Sequence, residues 1–390
     1  MKLAFICPRL HEPGTVGGAE TLLYSLARDA VAMGHDVEFL TTCAKSHYTW
    51  ENELPQGAFE REGMTVRRFP VNENRDVGSF LRVQEMVSRG QELTDEEEDV
   101  WLRQSVNSDT LIAHIRENGG DYARVIAGPY LFGLIEAASM AVPDKMLLVP
   151  CLHNEPFACV RRIRRMFETV RGFLFNTEPE QALAHRLYDL NTKTEAVVAM
   201  GIEPFEGDPD AFARKSGITT DYVLYSGRRE PLKGTPILMD YMDCFRSRTG
   251  RNVDLVMTGS GQVDVPPAMK GHFHDLGFVS EQEKRDVMAG AVAFCHPSVN
   301  ESLSIVLLEA WLAGTPALVH AKGEVLKWQC ESSNGGLWFA NYPEFEEMLL
   351  LYLDQPHIAR EMAGNGREYT IRKYAPAAVR KRFAAALKDG

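Results

Sequence analysis

No apolar run in this chain approaches the roughly 18 residues that a membrane-spanning helix requires, so a transmembrane reading is excluded at the outset. Cysteine is sparse: the 7 in 390 residues are scattered, with no C-x-x-C pair. That argues against a disulfide framework or a zinc knuckle and for reduced thiols in a cytoplasmic protein. Residues 1–7 are too short an apolar stretch for a signal peptide and run straight into a loop. A G-x-G-x-x-G fingerprint is missing after the first strand, which counts against a nicotinamide-dependent oxidoreductase. Positive charge is in deficit, 42 Lys and Arg against 54 Asp and Glu, and the net charge of −12 argues against nucleic acid as a partner. With 45% hydrophobic and 25% charged residues, the rest is the composition of a soluble globular protein long enough for two domains with full cores.

What is present is a succession of short apolar runs, each followed by a polar loop and a helical pattern, the rhythm of an α/β fold with parallel sheets. Residues 291–320 state it most clearly. An apolar run stops at His296-Pro297, the loop Ser298-Val299-Asn300-Glu301 follows, and a helix is expected over about 302–313. Gly314-Thr315-Pro316 then ends it, and a second apolar run begins. The loop thus lies at the carboxyl end of a strand, where open α/β sheets bind ligands. Ser302 or Ser304 is placed to cap the helix, whose free amides would form an anion site. Glu301 and Glu309 are separated by on the order of 12 Å at helical rise, too far to serve as acid and base on one bond. They suit a ligand with hydroxyls at both ends and an anionic middle.

A second loop agrees. Residues 222–225 read as a strand, followed by Ser226-Gly227-Arg228-Arg229-Glu230-Pro231-Leu232-Lys233-Gly234. Gly227 gives the backbone room. Arg228 and Lys233 bring two cations to one loop, a fork and a point charge able to stabilise a departing diphosphate without magnesium. Arg229 reads as an exposed charge. Asp208-Pro209-Asp210 is formally D-x-D, but it follows no apolar strand and reads as a helix start, so no metal is expected.

The E-x7-E spacing, the preceding Pro-Ser, the following Ala-Gly-Thr-Pro and the G-R-x4-K-G loop together resemble the donor site of retaining GT-B glycosyltransferases of family 4. The resemblance covers both halves of the chain. It implies two Rossmann-like doubly wound domains facing a cleft, residues 1–200 on the acceptor side and 201–366 on the donor side, with residues 367–390 crossing back to the first domain. It also implies transfer of a sugar from a nucleoside-diphosphate sugar to an acceptor hydroxyl with retention, in surface polysaccharide, glycolipid or related glycoconjugate synthesis. No cofactor or metal is called for, and the nucleotide sugar is a substrate.

By family position, Arg228, Lys233, Glu301 and His153 stand at the reacting centre, His153 hydrogen-bonding a hydroxyl of the sugar. Gly17, Gly18, Gly227, Gly259, Phe278, Val279, Ser302, Leu303, Ser304 and Glu309 would line the donor, Glu309 holding the ribose hydroxyls. Where the common pattern is E-G-F-G, this chain has Glu301-Ser302-Leu303-Ser304. On position alone, His153 follows the strand 146–150, Glu155 reads as a helix-start carboxylate, and Gly17-Gly18 as a turn at a helix start.

Residues 72–120 break the rhythm and lie outside the resemblance. Thr94 with Glu97 fits a capping box, so helices joined by a loop are expected, either as a solvated helical insertion or as an acceptor-side lid. Arg161, Arg162, Arg164 and Arg165 fall on one helix, either a solvated face or a peripheral contact with anionic lipid at the inner membrane face. Two rivals use the same donor clamp: a sugar-nucleotide epimerase, and a non-catalytic sugar-nucleotide-binding protein.

Overall fold

A computed structural model describes residues 1–10, 17–190 and 194–388. It divides into one unit of Met1–Gly201 with Pro376–Gly390, and a second of Ile202–Ala375.

The first unit is built on eight strands: β1 (Lys2–Ile6), β2 (Asp36–Thr42), β3 (Gly57–Arg61), β4 (Met64–Phe69), β5 (Arg124–Ala127), β6 (Met146–Leu148), β7 (Gly172–Phe175) and β8 (Thr194–Val197). Their order is β3-β4-β2-β1-β5-β6-β7-β8, and all pairs are parallel except β3 with β4. The order reverses between β1 and β5, so the loops after these strands part there and leave a crevice at the sheet's carboxyl edge. The β3–β4 hairpin was not expected. Its two-residue turn is Glu62-Gly63 with φ of 51° and 79°, a left-handed pair that Asn-Gly would have announced and Glu-Gly does not.

The helices of this unit are α1 (Gly18–Ala32), α2 (Val77–Ser88), α3 (Asp95–Gln104), α4 (Asp109–Asn118), α5 (Gly133–Ala141), α6 (Arg161–Thr169) and α7 (Glu178–Leu187). The Thr94–Glu97 capping box opens α3. Residues 72–120 are not a solvated appendage. Val83 and Val87 of α2, Trp101 and Leu102 of α3, and Leu111, Ile112 and Ile115 of α4 are buried in the same core as the sheet's Ala4, Ile6 and Val125. Each helix has a single apolar face, and that face is what ties the segment down.

Six parallel strands carry the second unit: β9 (Asp221–Ser226), β10 (Val253–Thr258), β11 (Phe273–Gly277), β12 (Ala293–His296), β13 (Ala317–His320) and β14 (Gly336–Phe339). Their order, β11-β10-β9-β12-β13-β14, is the 3-2-1-4-5-6 arrangement of dinucleotide-binding sheets. Around them lie α8 (Pro209–Ser216), α9 (Thr235–Thr249), α10 (Glu281–Ala289), α11 (Ile305–Leu312), α12 (Glu324–Ser333), α13 (Tyr342–Asp354) and α14 (Pro356–Tyr374). Asp208 accepts a hydrogen bond from the Ala211 amide at 3.0 Å, so the D-x-D acid is a helix cap.

The terminal segment divides at Ala375. Residues 367–374 finish α14 inside the second unit, and Pro376, which cannot continue a helix, opens α15 (Pro376–Lys388). That last helix packs in the first unit, where Arg380 meets Asp29 of α1 at 3.1 Å and Phe383 lies edge-on to Phe5.

Candidate active site

In the second unit the two motif-bearing loops follow β9 and β12, which are neighbours at the point where the strand order reverses. Close backbone packing holds them together. A Cβ on Gly234 would come within 2.7 Å of the Pro297 carbonyl oxygen. One on Gly259, which has φ of 105°, would come within 2.2 Å of the Gly227 carbonyl oxygen. Both positions therefore require glycine. Gly227 itself has φ of 146° and donates its amide to the Thr258 carbonyl at 3.1 Å.

This packing sets Lys233 Nζ 2.6 Å from Glu301 Oε1, and His296 Nε2 lies 3.2 Å from the same oxygen. Burial acts to raise the Glu301 carboxyl, but Lys233 and His296 outweigh it and hold it well below the usual carboxylate range. Glu301 is thus an ionised acceptor between two donors. Arg228, about a third exposed, turns one nitrogen to Glu230 at 3.1 Å.

Arg229 is not the exposed charge its position suggests. It is 5% exposed, forks onto Asp275 at the end of β11, and donates to the carbonyls of Gly259 and Gly261 at 3.0 and 2.9 Å. It fastens the β9, β10 and β11 loops to one another.

Helix α11 begins at Ile305, three residues later than expected. Ser304 stands at its N-cap with φ of 60°, the left-handed region, and its hydroxyl makes no cap hydrogen bond. That oxygen is buried without a hydrogen-bond partner. The glycine that the common E-G-F-G pattern has here would enter this conformation without Cβ strain. Ser302 and Leu303 are buried beside it.

On α11, Glu309 finds the partner its apolar helix calls for: Lys284 of α10 at 2.8 Å from Oε1. Its Oε2 is buried without a hydrogen-bond partner. Burial raises the Glu309 carboxyl, with Lys284 pulling it back. Phe278 and Val279 precede α10, which is opened by a Ser280–Glu283 capping box, and the Phe278 ring is 65% exposed.

In the first unit, Gly17 caps α1 and Gly18 is its first residue. A Cβ on Gly17 would collide at 1.8 Å with the carboxylate of Glu20, which is paired to buried Arg9. The preceding loop residues, 11–16, lie outside the described residues. His153 lies past β6, with Nδ1 3.6 Å from Glu155 Oε1. Glu155 stands at the start of a short 3-10 helix, Pro156–Cys159, as its position suggests, but its side chain makes no cap hydrogen bond; the Tyr130 hydroxyl donates to it at 2.8 Å. The His153 loop is held from below by Glu180, a fully buried carboxylate accepting the amides of Leu152 at 2.7 Å and Asn176 at 2.6 Å. Burial pushes its carboxyl up to about 8, against the pull of those amides.

His296, Lys284 and Glu180 were not singled out from the sequence. Only His296, as the polar end of an apolar strand beside the motif, carried a local signal.

The α6 arginines are largely committed. Arg161 pairs with Glu98 at 2.9 Å and Asp95 at 2.8 Å, Arg162 with Glu136 and Asp99, and Arg164 donates to the Leu187 carbonyl. No helix among the described residues is long and apolar enough to cross a membrane.

Comparison with known proteins now bears on these loops. Residues 209–369, nearly all of the second unit, match the family described as glycosyl transferases group 1. The second unit is a group 1 glycosyl transferase domain. Over 396 aligned residues the chain is 26% identical to a D-inositol 3-phosphate glycosyltransferase of Frankia alni, covering 91% of this chain and 90% of that one. A phosphatidyl-myo-inositol mannosyltransferase of Mycobacterium leprae is 36% identical over 106 residues, 25% and 27% of the two chains. Among solved structures, Anabaena HepE in complex with UDP-glucose superposes with a TM-score of 0.73 over 100% of both chains at 16% identity. Sucrose-phosphate synthase from Thermosynechococcus elongatus gives 0.73 over 99% and 98% at 15% identity. The fold is that of the GT-B glycosyltransferases, and the β9 and β12 loops of the glycosyl transferase domain carry the residues described above.

Proposed function

We propose that the chain moves a sugar from a nucleoside-diphosphate sugar to an acceptor hydroxyl with retention at the anomeric carbon, and that the leaving diphosphate is met by side chains rather than by a metal. The observation carrying this is the pairing of Lys233 with Glu301 at the strand-order reversal between β9 and β12, with Arg228 in the same β9 loop as Lys233. Lys233 and Arg228 neutralise charge that grows on the diphosphate as the bond to the sugar breaks. Glu301, ionised and already accepting from His296, is suited to receive hydroxyl protons of the donor sugar as hydrogen bonds. Buried Glu309, with one oxygen unpartnered, is suited to the ribose diol. The acceptor hydroxyl attacks the anomeric carbon from the face the diphosphate leaves. The new C–O bond forms as the old one breaks, and the acceptor's proton passes to a departing phosphate oxygen. His153 is assigned to a hydroxyl of the donor sugar, and Gly17 and Gly18 to backbone approach to the donor.

The relatives are named for inositol 3-phosphate and phosphatidyl-myo-inositol, which supports a role in glycoconjugate synthesis. A lipid-facing role is not assigned to α6, because Arg161 and Arg162 are engaged by the acids of α3 and α5. Arg228→Ala and Lys233→Ala are each expected to lower turnover by roughly 10²–10³, the loss that follows removal of charge stabilisation. Acceptor-dependent release of nucleoside diphosphate measures it, and interconversion of sugar nucleotides without acceptor would instead indicate an epimerase. Unchanged turnover in both variants would contradict the assignment.

A further inference from the structure

Among the described residues of the first unit, two cavities differ in charge. One, of about 470 Å³, lies among the α2 entry, the ends of α3 and α4, and α5. Four guanidiniums, Arg75, Arg103, Arg116 and Arg162, face three carboxylates there, Glu73, Asp109 and Glu136. The other, of about 670 Å³, lies between the α2–α3 connection and the segment after His153. Its wall holds three carboxylates and a single guanidinium; Glu98 and Arg161 neutralise each other as a pair, which leaves the charges of Glu92 and Glu155. Val87, Leu93, Pro156 and Val160 supply an apolar side.

Resting on the transferase reading above, we infer that the larger cavity is the acceptor site and that it takes an uncharged, hydroxyl-rich acceptor rather than a phosphorylated one. Position favours it: Glu155 lines this cavity and its carboxylate is 3.6 Å from His153 Nδ1, while no residue of the His153 loop lines the smaller one. Its chemistry points the same way. Carboxylates accept hydrogen bonds from hydroxyls and repel phosphate, and an apolar wall covers the C–H face of a sugar ring or polyol. The volume lies in the range of small-ligand sites. The α2–α3 connection closes one side, so residues 72–120 bear on acceptor choice and not on the donor. The relatives named for inositol phosphate would differ from this chain at this wall.

Cys159 lines the cavity and is the one exposed cysteine of the seven. It therefore reports occupancy independently of any donor. The wild-type chain is treated with iodoacetamide, and the Cys159 peptide is quantified by mass spectrometry, with glucose, mannose or myo-inositol present, or with myo-inositol 3-phosphate. At least one neutral probe is expected to slow alkylation several-fold and also to accelerate nucleoside diphosphate release. Cys159→Trp, which fills the cavity, is expected to raise the KM of that acceptor by roughly ten-fold or more, the scale of losing a pocket's contacts, with the donor KM unchanged. No protection by any neutral probe overturns the inference. So does stronger protection by the phosphorylated probe, or phosphorylated-acceptor use that is lost in Arg75→Ala, which would move the site to the smaller cavity. Absence of diphosphate release with every sugar nucleotide tried would fail the transferase reading, while Cys159 protection would still decide this one.

Discussion

Two side chains of the loop after β12 have measurable consequences of their own. Ser304 sits in a left-handed conformation with a buried, unpartnered hydroxyl, and both features work against the folded state. Ser304→Gly removes both, and stabilisation of about 1 kcal/mol is expected, read as a raised urea midpoint. A lowered midpoint would mean that the serine has a compensating contact. Glu301 gives a pH dependence whose sign follows from its partners. Its folded carboxyl lies well below the ordinary value of 4.5, so the folded state favours the charged form. The resulting stability is complete above that ordinary value and is lost as pH falls through the folded one. In urea titrations from pH 7 downward, the gap between wild type and Glu301→Gln is expected to close in the acid range; a constant gap would contradict the pairing with Lys233 and His296. Neither partner relation was legible. Glu301 and Lys233 each stood out in contiguous motifs, but their 68-residue separation hid the contact between them. Arg229 was misread for the same reason, since Asp275, which buries it, lies 46 residues away.

At the scale of elements, Glu180 joins the loops after β6 and β7 through two backbone amides. With its folded carboxyl near 8, the folded chain retains a proton that the unfolded chain releases above its ordinary value of 4.5. Stability should therefore fall as pH rises across that window, by at most about 1.4 kcal/mol per pH unit. Glu180→Gln is expected to remove that slope while lowering overall stability by about 1–3 kcal/mol, because its amide group sets a donor against a backbone N–H. A slope that survives the substitution would place the proton elsewhere. Strand–loop–helix units were readable wherever an apolar run met a turn signal, as at 222–234 and 291–320. Helix starts were less so: α11 was placed early because two serines looked like caps, and neither position's pattern reveals a left-handed backbone. Segment 72–120 looked solvated because its acids dominate the composition. Three of those acids, Asp95, Glu98 and Asp99, are instead partners of Arg161 and Arg162, and the helices' sparse apolar residues are spaced to bury one face each.

For the molecule as a whole, the repeated apolar-run and polar-loop rhythm gave the two α/β units, and the 3-2-1-4-5-6 order of the second explains why its two motifs, some 70 residues apart in the chain, close on one place: they follow neighbouring strands at the order reversal. Everything proposed for catalysis depends on a diphosphate being held there. The direct measurement is the rate of nucleoside diphosphate release from the preferred sugar nucleotide in wild type, Arg228→Ala and Lys233→Ala, with donor affinity followed separately by titration. Turnover lower by roughly 10²–10³ in each variant, in chains that remain folded, is the expected result. Wild-type turnover in both would contradict the account.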